Sequence, residues 1–213
     1  MHEVPNCNQP YNPKRNGGLG GYYQASWKSG LMTGIAANAP VFSFRWAPAV
    51  RADGRILSCQ LKFLKVFALT ITAFGAAQVV EFDTFTQRLW TASDTGGTAG
   101  IPASGDQKRM NDFPDSAFVG GGDIRISNTA ALGVGTRTGE AIASSSFAFW
   151  SSGIGVGLVP AIVETWDEHH VPMVFEPNQG FVIQNGVLMG ASGVVQLWVD
   201  IGWMEEDQAR RGW

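Results

Sequence analysis

Charge is scarce in this chain. Of its 213 residues, only 15% are Asp, Glu, Lys or Arg, against about 25% in ordinary soluble domains. The Glu, Lys, Leu and Ala runs that stabilise helices are missing with them, which argues against long helical bundles. The formal net charge is −3, so no cationic excess meets a polyanion, and nucleic acid is not an expected partner. Cysteine is almost absent. Cys7 and Cys59 match no metal-ligand spacing and form no framework of bridges, so two free thiols in a reducing compartment are expected. Long apolar runs are lacking too: Val66 to Val80 is uncharged but broken by Thr70, Thr72, Gly75 and Gln78. That falls short of the roughly 20 apolar residues a membrane span needs. The opening Met1-His-Glu-Val-Pro-Asn6 has neither the basic nor the apolar region of a secretory signal. Synthesis in a cytoplasm, with no membrane partner, is the expectation.

What the chain does have is glycine and aromatic rings: 27 Gly, 13 Phe and 8 Trp. The rings can build a large core, and the length suits one domain with arms. Residues 1–21 hold Pro5, Pro10 and Pro13, with four Asn and four Gly. They show no periodic apolar face and read as an extended N-terminal arm that cannot order itself by burial. Residues 22–204 read as a sandwich domain and 205–213 as a tail.

Strand signals fill the domain. Val41 to Trp46 is aromatic-rich, and Ile56 to Thr72 reads as a strand because Leu69-Thr-Ile-Thr72 is β-branched. Leu57, Leu61, Leu64 and Phe67 also fit helical spacing, so a helix stays open there. Along the strand reading, Leu61, Phe63 and Phe67 share a face, opposite Lys62, Leu64 and Val66. Gln78 to Trp90 alternates well, as does Asp123 to Ser127. Ser93 to Gly100 is a long Gly-rich loop, of a kind that usually serves function or a partner. Val171 to Phe175, Gly180 to Gln184 and Gly193 to Trp203 are three further strands. In the last, Val195, Leu197, Val199, Ile201 and Trp203 share one face and Gln196, Trp198, Asp200 and Gly202 the other. About eight strands with no βα alternation predict an all-β antiparallel sandwich, jelly-roll-like in its long early strands and connections.

Motifs for catalysis are lacking. Glu164-Thr-Trp-Asp-Glu-His-His170 is the densest polar segment, yet adjacent His169 and His170 would point to opposite faces of a strand and not converge on one ion. Gly153-Ile-Gly-Val-Gly157 lacks the third glycine and the βαβ frame of a dinucleotide loop. Asp94, Asp106, Asp112 and Asp115 lie in loops, where aspartate is usually a turn former. A glycosidase would need two carboxylates held apart at a set distance. No catalytic, metal or cofactor residues are assigned, and an enzyme is not expected. Trp27, Trp46, Trp90, Trp150, Trp166 and Trp198 exceed what one small core normally holds. They suit subunit interfaces or, as the alternative, the stacking of sugar rings, for which Trp198 on the polar face of its strand is the main candidate.

The block from Phe175 to Trp203, FEPNQGFVIQNGVLMGASGVVQLWVDIGW, resembles the C-terminal strand pair of structural proteins from tailed-bacteriophage virions. There, a P-x-x-G-hydrophobic turn leads into a strand, and a Gly-rich turn precedes the final one. The resemblance implies a virion protein: a capsid decoration (cement) protein or a head- or tail-associated subunit. It would act through contacts with its own copies, as a homotrimer at threefold positions, and with the major capsid protein. The alternative is a carbohydrate-binding sandwich, lectin-like or receptor-binding. Low charge fits assembly, because neighbours then cover surface that charge would otherwise have to solvate.

Overall fold

A computed structural model describes residues 22–50, 56–100, 108–109, 116, 123–151, 162–165 and 173–207. Among them there is no helix. The strands are β1 (Tyr22–Lys28), β2 (Ala39–Arg45), β3 (Leu57–Thr72), β4 (Gln78–Ala92), β5 (Thr98–Ala99), β6 (Lys108–Arg109) and β7 (Ile124–Ile126). They continue with β8 (Thr136–Gly139), β9 (Ser145–Ser151), β10 (Ile162–Thr165), β11 (Val174–Phe175), β12 (Gly180–Asn185) and β13 (Val194–Asp207). The arm, residues 1–21, lies outside the described residues.

The strands form two antiparallel sheets. The first runs β10-β3-β13-β1-β6, with β11 beside β10 along β3; the second runs β5-β7-β2-β12-β4-β8, with β9 beside β8 along β4. The pairings nest. β4 pairs with β9, β3 with β10, β2 with β12 and β1 with β13. Successive strands β1 to β4 alternate between the two sheets, and so do β9, β10, β12 and β13.

The alternation read from the last strand is what the sheet displays: Val195, Leu197, Val199, Ile201 and Trp203 are all fully buried. Against them from the second sheet come Phe42, Phe44, Phe181, Ile183 and Phe82. Phe44 sits 5.4 Å from Phe181 and 6.5 Å from Trp203 between ring centroids, and Tyr23 stacks on Trp203 at 5.7 Å. Burying a ring of this size contributes on the order of 3 kcal/mol by area, so this aromatic layer fixes how the sheets face.

Three sequence expectations need adjusting. β3 is a strand throughout, but Leu61 does not share a face with Phe63. Its register against β13 shifts between Leu61 and Phe63. That bulge at Lys62 switches the parity, so Leu61, Leu64, Val66 and Ala68 all point inward and are buried. The Gly-rich loop is also not free of pairing: Thr98 and Ala99 join β7, and Thr95 bridges Gly133. Finally, β13 runs on to Asp207, past the boundary drawn after residue 204.

Candidate functional site

The core takes up much of the tryptophan surplus. Trp46 is fully buried and its Nε1 donates to the Leu57 carbonyl at 2.8 Å. Trp203 is fully buried, with Nε1 3.3 Å from Glu205 Oε1. Trp90 is buried beneath the Arg137 guanidinium, 5.7 Å from its centroid. Trp27 is half-buried and donates to the Gly100 carbonyl at 3.0 Å, tying the Gly-rich loop to β1. Among the described residues two rings remain open. Trp150 is 65% exposed on β9, and Trp198 is half-buried on the outer face of the first sheet. Trp166 lies outside the described residues.

Strand register puts Trp198 in an aromatic stripe. Across the sheet, Trp198 lies between Phe67 and Lys28, Asp200 between Lys65 and Ser26, and Gly202 between Phe63 and Gln24. Lys28 Nζ stands 5.0 Å from the Trp198 centroid and Lys65 Nζ 5.1 Å from that of Phe63, within cation–π range. A Cβ on Gly202 would come within 2.2 Å of Phe63 Cε1 and 2.8 Å of Tyr22 Oη, so the Phe63 ring lies directly on bare backbone. Phe67 and Ile71 continue the stripe in the open. The result is a mixed face of aromatic rings and charged groups, with Asp200 and Lys65 between the Trp198 and Phe63 rows, able to stack against a ring or a neighbouring protein. The Lys28 ammonium already covers part of the Trp198 face that a sugar would use.

Charged side chains gather at the other sheet. Arg45 Nη1 donates to Ser93 Oγ at 2.8 Å and to Asp123 Oδ1 at 3.2 Å, while its Nε reaches Asn178 Oδ1 at 3.2 Å. Asn178 adopts a left-handed φ of 68° in the turn before β12. Next along the chain, Asp94 Oδ1 accepts from the Gly135 amide at 2.7 Å and from the Arg137 guanidinium. That pair is almost fully buried, at 0% and 7% side-chain exposure. Both clusters clamp the start of the Gly-rich loop onto the sheet edge. Asp94 is thus occupied by a structural ion pair; Asp106, Asp112 and Asp115 lie outside the described residues.

Glu205 is the residue that sequence reasoning misplaced. Counted with the tail, it is buried in β13. It accepts from Ser116 and from the Trp203 indole and lies directly across the ladder from Cys59. The signal was present: Glu205 is in phase with the inward series that ends at Trp203. Cys59 is a free, fully buried thiol. Burial first, and the Glu205 charge second, hold it well above its ordinary value of 9.0.

Among the described residues no three His, Cys, Asp or Glu side chains gather to hold a metal ion. His169 and His170, Cys7 and Gly153 to Gly157 lie outside them. No helix of the described residues is long and apolar enough to cross a membrane. The sequence matches no model of a known protein family and no curated protein.

Proposed function

We propose that this protein is a structural subunit of a bacteriophage particle, a decoration or head/tail-associated protein acting through subunit contacts. The observation that carries the reading is the nesting of the strand pairs. Pairs β4–β9, β3–β10, β2–β12 and β1–β13 distributed over two facing sheets are the pairs that a rolled hairpin, a jelly roll, would use. That form recurs in viral capsid and lectin domains. Of those two uses, low charge and open apolar faces favour the first. Phe67, Ile71, Trp150, Leu188 and Val134 stand 36% to 69% exposed, and a subunit with neighbours removes such area from water.

The reading requires self-association, as a trimer if the subunit occupies capsid threefold positions, and contact with the major capsid protein in the virion. Light scattering over a micromolar dilution series tests it: a stable species larger than one chain is expected, and a monomer throughout overturns it. The carbohydrate-binding alternative draws on the half-open Trp198. Glycan-array binding that disappears in Trp198→Ala would favour that alternative.

A further inference from the structure

Sheet edges in soluble proteins are protected, because a row of unpaired N–H and C=O groups templates another strand. The described edges of this sandwich follow that rule with one exception. β5, β6 and β11 are two residues long, and β10 is four. β8 has four residues, carries Arg137, and its register along β4 shifts twice. β9 differs on every count. It runs seven residues, Ser145-Ser-Phe-Ala-Phe-Trp-Ser151, with no charge and no proline. Its register along β4 is unbroken from Thr84↔Ser145 to Gln78↔Ser151, so no bulge bends it away. Among the described residues, β4 is the one strand it pairs with.

We propose that β9 is an interface between two copies of this chain, pairing antiparallel with β9 of the second copy about a two-fold axis at Ala148. This deepens the self-association reading and rests on it. The sequence of the strand is what selects a second copy as occupant. A two-fold axis sets each residue against its own strand, so any charge near the centre would meet its like; β9 has none. Centred on Ala148, all seven residues pair: Ser145 with Ser151, Ser146 with Trp150, Phe147 with Phe149. The inward Phe147, half-buried and 5.4 Å from Phe82, would meet the second copy's Phe149 and carry the core across the junction. The outward Trp150, opposite Val79 on β4, would lie beside the second copy's Ser146 on the same outer face. A two-fold contact also fixes parity: the assembled species contains an even number of chains, a dimer or a pair of trimers.

Three measurements on the full chain test this. Sedimentation at micromolar concentration should give an even-numbered species. Ala148→Lys, at an exposed position, sets two ammonium groups face to face and should weaken association by about tenfold or more. Its circular dichroism should match wild type; Val50→Lys, which removes exposed apolar area outside these faces, should associate like wild type. In a Cys7→Ser background, Ala148→Cys should cross-link copies on mild oxidation, because directly opposed Cβ atoms lie about 4.5–5.5 Å apart. An odd-numbered species alone, undiminished association in Ala148→Lys, or no cross-link at position 148 overturns the β9 contact while leaving self-association standing. A monomeric wild type overturns both.

Discussion

Among the groups that carry charge or latent charge into the interior, Asp94 and Cys59 each make a distinct prediction. Asp94 and Arg137 are buried together, so removing one strands the other without compensation. Asp94→Ala should cost about 3–5 kcal/mol in urea unfolding; a loss below about 1 kcal/mol would mean that the pair is solvated like a surface bridge. Cys59 works through pH. Its folded value is raised above 9.0, so above that pH the unfolded chain releases a proton that the folded chain keeps. Stability should therefore be insensitive to this group below about pH 9 and fall as pH rises beyond it. Cys59→Ala should flatten that alkaline slope; an unchanged slope would show that the thiol is not its source. Individual burial was the least legible quantity in the sequence. Trp46 and Trp90 read as surplus rings, yet one is anchored by the Leu57 carbonyl and the other roofed by Arg137. Both partners are distant along the chain or hidden by loops, so no local pattern announces them.

Strands were legible where alternation is unbroken and lost where it is interrupted. β13 follows its sequence pattern because the turn at Gly190 to Gly193 sets its phase, whereas β12 is buried on both faces nearly throughout. β3 was assigned its faces wrongly at one point, since a bulge at Lys62 is a single added residue with no compositional mark. Gly180, opening β12, shows how tight the second sheet is: a Cβ there would lie 1.9 Å from the Phe44 carbonyl oxygen. Backbone cannot yield as a side chain can, so Gly180→Ala should destabilise the fold by about 1–3 kcal/mol, read as a lowered unfolding midpoint. The N-terminal arm belongs to this scale as well. Ordering a residue costs roughly 1–2 kcal/mol of backbone entropy, and residues 1–21 have no apolar period of their own to offset it. Deleting residues 2–18 should leave thermal unfolding unchanged and weaken association. Undiminished association would make the arm a mere tail, and an unfolded product would make it part of the sheet.

At the scale of the whole molecule, the all-β, two-sheet plan was readable from turn spacing and the absence of βα alternation. The order of strands within each sheet was not, because nesting depends on contacts between strands as remote as β1 and β13. The candidate surface was half legible: Trp198 stood out on the polar face of its strand, whereas the edge of β9, which pairs only with β4 among the described residues, becomes visible only once its neighbours are known. Both belong to one account, in which the outside of the sandwich is built to be covered by other protein. Hydrogen–deuterium exchange of the wild-type chain, compared between dilute and concentrated solutions, tests that account most directly. Peptides spanning residues 145–151, 65–71 and 196–200 should gain protection on concentration while the buried Phe42 to Phe44 segment stays unchanged. Identical exchange in those outer peptides at both concentrations would contradict it.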